Sequence, residues 1–226
     1  MMFIQSQELP VLPHPFFIAT EGMGDAHFVD QLLQFKNITT CSVGCPSTKS
    51  AGGTGKNAFG KYFLAVQTAR KRAQSVPLRG LLVIADANGN ANESFGAAAE
   101  ALKGAEFPQP SHPFEIVEVD GFRVAIYLLP GEGETGTLEH LLLRAVFANS
   151  PGLEKCLTDF AVCTGGVKSS KPNAQAKMRM SALAAVFCAD NPWCSAGYMW
   201  SDKGNPVPIK SDCFKHLHAF IRSFST

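Results

Sequence analysis

The residues whose types and spacing could do chemistry are Glu21, Asp25, Asp86 and Asn88, oxygen-bearing side chains placed just beyond two apolar runs. Residues 81–85 form an unbroken apolar stretch that stops at Asp86 and enters a loop reaching Asn90. Too short for a helix and bounded by turn residues, the stretch reads as a central parallel strand covered on both faces. Ligands usually bind beyond the carboxyl ends of such strands. If extended geometry persists past Ala85, Asp86 and Asn88 point to one side and can share a ligand. Either residue can equally serve as a helix N-cap. Residues 16–20 repeat the pattern, ending at Glu21. Carboxylate oxygens suit magnesium, which takes one or two of them and completes its shell with water and substrate phosphates.

The elements around these residues must position them. Asp25 can cap a helix whose apolar positions Phe28, Leu32 and Phe35 define one buried face. Gly22 and Gly24 leave backbone room at its start, where helix amides attract an anion or frame a metal held by Glu21. A purely structural turn fits the same residues. The spacing Gly22-x-Gly24-x-x-His27 lacks the third glycine of a dinucleotide fingerprint, and Asp25 would repel a pyrophosphate. A second strand is expected over residues 37–43, then a loop over 44–55. That loop ends near a P-loop pattern but carries Ser50 at the first glycine position and Asn57 where the magnesium-binding hydroxyl belongs. Lys56 remains a candidate phosphate contact before a helix burying Phe59, Phe63 and Val66. The alternative is a plain loop leading into a core helix. Arg70, Lys71 and Arg72 read as a solvated helix end.

Further along, a helix is expected over residues 93–102. Strands over 114–119 and 122–129 are joined by Asp120-Gly121, a strong hairpin signal. The sheet is therefore mixed. An acidic loop over 130–136 leads into a helix with Leu138, Leu141, Leu142 and Ala145 inward. Glu139 sits in its first turn, where the helix dipole alone favours it. Helices follow over 152–163, over 173–188 with Leu183, Val186 and Phe187 buried, and over 211–224 with Phe214, Leu217, Phe220, Ile221 and Phe224 on one face.

A chain of 226 residues can bury one good core, and its net charge of +1 announces no nucleic-acid partner by itself. No apolar run approaches the length of a membrane span, and residues 1–10 lack the features of a signal peptide, so a cytoplasmic protein without membrane contact is expected. The seven cysteines form no Cys-x-x-Cys pair, which points to reduced, mostly buried thiols.

The order of these motifs resembles a family of uncharacterised prokaryotic proteins with a TOPRIM-like domain. The resemblance rests on Glu21-Gly-x-x-Asp25, Ala85-Asp86-Ala-Asn88 and Gly136-x-Leu-Glu139-x-Leu-Leu142. Lys177-x-Arg179-x-x-Ala182-Leu-Ala184, Pro192, Gly197 and Phe214-x-x-Leu217-x-x-Phe220 extend it over nearly the whole chain. It implies an α/β, TOPRIM-like (Rossmann-like) fold: a mainly parallel sheet with an antiparallel edge hairpin, then a helical C-terminal portion. One domain is expected, with its core over about 14–148 and a helical elaboration over about 151–226.

TOPRIM domains of topoisomerases, primases and nucleases hold magnesium with a glutamate after the first strand and an Asp-x-Asp after a later one. The resemblance puts Glu21, Asp86 and Asn88 at those positions. Asn88 and Gly131, where the family tends to carry an acid and a polar residue, are departures. It further implies a magnesium- or manganese-dependent phosphotransfer or nuclease-type activity on nucleic-acid or nucleotide phosphodiesters. Lys177 or Arg179 would stabilise negative charge, and Gly22, Gly24, Asp25, Lys56 and Glu139 would line the substrate. Glu132, Glu134 or Glu139 can compensate for Asn88 if their loops share the sheet edge. Asn88→Asp is expected to tighten magnesium. The alternative is a non-catalytic nucleic-acid or nucleotide-binding module with a degenerate metal site. A third reading, an interaction protein, rests on the apolar tail and on Trp193 and Trp200.

Overall fold

The computed structural model describes residues 12–71, 76–165, 171–188, 190–192, 194, 199 and 207–226. Arg72, Trp193, Gly197 and Trp200 lie outside them. The chain order is β1 (Phe16–Thr20), α1 (Met23–Phe35), β2 (Cys41–Gly44), α2 (Thr48–Ala51), α3 (Phe59–Lys71), β3 (Gly80–Asp86) and α4 (Ala91–Gly104). Then follow β4 (Ile116–Val119), β5 (Phe122–Leu129), α5 (Leu138–Asn149), α6 (Pro151–Cys163), α7 (Pro172–Phe187) and α8 (Lys215–Phe224). The strands form one sheet in the order β2-β1-β3-β5-β4. All neighbours are parallel except β4 and β5. This is the expected α/β architecture.

Strand parity assigns each side chain to a layer. Phe16, Ile18, Leu82, Ile84, Ala125, Tyr127 and Leu129 share a hydrophobic cluster with α1, α5, α6, α7 and α8. Their alternates Phe17, Ala19, Leu81, Val83, Val124 and Ile126 pack with α3 and α4. Burial on both faces explains why β3 is apolar without interruption. Asp120 at φ 52° and Gly121 at φ 75° make the β4–β5 turn, the left-handed pair a two-residue hairpin demands.

The last helix completes the core rather than standing beside it. Phe224 packs edge-on against Phe16 at 5.5 Å, and its carbonyl accepts Arg123 Nη1 at 3.3 Å. Gly80 makes this approach possible, since a Cβ there would lie 2.9 Å from Phe16 and from Phe224.

Several expectations are corrected. The second strand begins at Cys41, not residue 37, because Asn37 at φ 55° ends α1 in a left-handed turn with Ile38 N donating to Leu33 O at 3.0 Å. Phe35 is 39% exposed, and α1 instead buries Val29 and Leu33 beside Phe28 and Leu32. The N-cap of α1 is Gly22, which leaves Asp25 in the first turn. In α7 the buried stripe is Ala176, Met180, Leu183 and Ala184, so Val186 and Phe187 fall outside it and are exposed. All seven cysteines are free thiols, but only Cys41 and Cys45 are buried. Among the described residues, no helix is long and apolar enough to cross a membrane.

Candidate functional site

The chain leaves β1 toward β2 on one side and later places β3 on the other. Such a reversal opens a crevice between the carboxyl ends of the two strands. Glu21 follows β1 and Asp86 ends β3, so the strand order alone sets both carboxylates at this crevice. A cavity of about 560 Å³ occupies it, lined by Glu21, Asp25, Asp86, Glu139, Lys177 and residues 45–48 and 54–55 among others. Gly22 and Gly24 also line it.

Three of the four acids are held by backbone. Glu21 Oε1 accepts the Asp86 N–H at 3.1 Å, and Asp86 Oδ1 accepts the Leu138 N–H at 2.9 Å. Asp86 therefore does cap a helix, but it is the distant α5 and not the next one. The N-cap of α4 is Asn90, whose side chain accepts from Asn92 N and Glu93 N. Asp25 accepts the backbone N–H of Gly22, closing the first turn of α1 on itself. Thr20 Oγ1 donates to Gly22 O at 3.1 Å and fixes the backbone between Glu21 and α1. The Thr137 side chain and His140 form a reciprocal capping box at α5, and Thr137 Oγ1 donates to Glu139 Oε2 at 2.6 Å.

These bonds do not offset the crowding of negative charge. Burial, followed by the charges of Asp25, Glu21 and Glu139, pushes the Asp86 carboxyl up to about 8. Burial, then Glu21 and Glu139, pushes Asp25 up to about 7. Burial also raises Glu21, opposed by the Asp86 N–H and by the charges of Lys56 and Lys177. Desolvated carboxylates that repel one another this way favour a cation or a proton between them. Among the described residues, no group of three or more His, Cys, Asp or Glu side chains is gathered closely enough to hold a metal alone. The donor set fits a hard cation that needs only one or two carboxylates and takes other ligands from water and phosphate.

The structure sorts the candidate residues. Glu21, Gly22, Gly24, Asp25, Asp86, Glu139 and Lys177 meet at the cavity, and Lys56 acts on Glu21 from the turn Lys56–Ala58. Asn88 does not line it. Its φ of 54° ends the extended run, and its backbone bridges Gly136 through bonds of 2.6 and 2.7 Å. The premise that Asp86 and Asn88 share one strand face is thereby corrected. Asn88 Nδ2 donates to Asp86 O at 3.1 Å, and its Oδ1 accepts from Asn173 Nδ2 at 3.2 Å. Arg179 reaches Thr158 Oγ1 at 3.5 Å and is not part of the cavity lining. Glu132 and Glu134 line a different cavity, so only Glu139 joins the acids.

Sequence reading missed Asn173 and the cavity wall over residues 45–48 and 54–55. The wall was discoverable in principle, since the loop after β2 must emerge at the same sheet edge as the loop after its parallel neighbour β1. No local signal marks Asn173. No curated protein and no solved structure matches the chain. Residues 15–194, from the start of β1 past the lysine of α7, match the model of a protein family of unknown function, DUF3226, and the chain belongs to that family.

Proposed function

We propose that this chain is a magnesium- or manganese-dependent phosphotransfer protein of TOPRIM-like type, acting on nucleic-acid or nucleotide phosphodiesters. The observation that carries the reading is the Glu21–Asp86 contact at the reversal of strand order, inside a cavity that Lys177 also lines. In this reading Glu21 and Asp86 hold the cation, and Asp25 and Glu139 add negative field around it. Asn88 joins the ligands only by releasing Asn173. A bound magnesium ion would supply polarisation of a phosphoryl oxygen and activation of water. Lys177 and Lys56 place positive charge beside the same crevice, where a phosphate's developing charge is stabilised. Gly22 and Gly24 leave backbone room for a substrate; a Cβ on Gly24 would meet nothing within 4 Å. The free thiols accord with a cytoplasmic protein.

A second reading, a nucleotide- or nucleic-acid-binding module without catalysis, is favoured by one observation. Asn88, the departure from Asp-x-Asp, spends its side chain on Asp86 O and Asn173. Calorimetric titration of magnesium and manganese tests both readings, with Glu21→Ala and Asp86→Ala verified as folded by circular dichroism. Binding lost in both variants, together with turnover of a phosphodiester, is the expected result. Binding without turnover selects the module, and binding unchanged in the variants removes the site.

A further inference from the structure

On the other side of the loop between β5 and α5, a second cavity of about 440 Å³ opens, with walls from β5, α5 and α8. Its size is that of a small-ligand pocket. The wall contains three aromatic rings in mutual contact. Phe114 stands edge-on to Tyr127 at 4.9 Å and to Phe220 at 6.4 Å, and Tyr127 meets Phe220 at 5.3 Å.

Two carboxylates from the β5–α5 loop share the lining with these rings. Glu134 is neutralised: Arg144 Nη1 donates to its Oε1 at 3.1 Å and Nη2 pairs with its Oε2. Glu132 is exposed and has no hydrogen bond or ion pair among the described residues. The field of these acids reaches the aromatic wall. Burial first, then the charges of Glu134 and Glu132, pushes the Tyr127 phenol up to about 12.

Aromatic π systems beside an unpaired carboxylate attract a positive charge and repel an anion. A neutral apolar ligand would pack the rings equally well but gain nothing from Glu132, which lines the same cavity. We propose that this cavity binds the ammonium or guanidinium head of an organic cation, with Glu132 pairing its charge and the rings of Phe114, Tyr127 and Phe220 packing its carbon-bound side. The site is separate from the Glu21–Asp86 crevice, and the inference does not depend on the function proposed for that crevice.

The test titrates n-butylguanidinium and n-butylammonium into the full chain and follows the ring resonances of Tyr127 and Phe220 by NMR. Neutral n-butanol and inorganic phosphate are titrated in parallel. Both cations are expected to shift these resonances saturably, while phosphate leaves them in place. Glu132→Gln, on an exposed residue, is expected to weaken both cations about two- to fivefold, and Phe220→Leu to weaken them similarly. Three results overturn the proposal: butanol acting at the same concentrations as the cations, affinity unchanged in Glu132→Gln, or no saturable shift with either cation.

Discussion

The Glu21 carboxylate accepts the backbone N–H of Asp86 at 3.1 Å across 65 positions of sequence, tying the loop after β1 to the end of β3. Asp86 in turn accepts from Leu138, so one short chain of bonds joins two strand ends to the start of α5. The crevice is thus held by its own acids. Any change at Glu21 or Asp86 acts on both charge and position.

The metal-free protein should lose stability as pH rises. Asp25 and Asp86 both have folded-state values above the ~3.9 of an unfolded aspartate. Folding therefore favours their protonated forms. Their contribution is complete below about pH 4 and is lost as pH rises through about 7 and 8. The expected reading is a monotonic fall in Tm of several degrees from acid to alkaline pH. Asp86→Asn keeps an acceptor for Leu138 and should remove about half of the decline, leaving the share of Asp25. Thermal melts in chelator between pH 5 and 9 check this, and parallel curves for the two proteins would contradict it.

Lys177 and Arg179, two residues apart on α7, should behave differently. Lys177 lines the crevice and Arg179 contacts Thr158. Lys177→Met is expected to weaken binding of pyrophosphate, measured with magnesium present, by about tenfold, the scale of one charge-assisted contact. Arg179→Met should leave it within about twofold of the parent. Equal losses in the two variants would mean that charge on α7 acts only at long range.

Asn88→Asp should not tighten magnesium, the reverse of what the Asp-x-Asp pattern suggests. An aspartate cannot donate to Asp86 O, and it adds a negative charge next to an already crowded set of acids. A destabilisation of about 1 kcal/mol is expected, with magnesium affinity equal to or weaker than the parent's. Denaturant melts and calorimetry read the two quantities. Tighter binding would show that residue 88 turns inward when a cation is present.

Phe224→Ala should destabilise the whole chain by about 3–5 kcal/mol, because Phe224 is fully buried against Phe16 and Gly80. Magnesium affinity of the folded fraction should be unchanged, since α8 supplies no residue to the crevice. A stability change below about 1 kcal/mol would mean that α8 docks only weakly on the sheet.

The sequence by itself determined the existence of the strands (though not where β2 and β4 begin), most of the buried faces and the positions of Glu21 and Asp86. Those features follow from short-range rules: an apolar run buried on both faces, a period of 3.6 in the helices, and an Asp-Gly pair that tolerates left-handed backbone. Only the tertiary structure decided which neighbours reach the crevice. Glu139 enters it and Glu132 and Glu134 do not, because the β5–α5 loop separates two cavities. Asn88 turns away because its backbone pairs with Gly136, a contact no local pattern encodes. Lys177 faces the acids and Arg179 does not, because packing of α7 on α5 fixes the rotation of that helix. Strand order and helix rotation are set by long-range burial, and residues distant in sequence share no periodicity from which their meeting could be read.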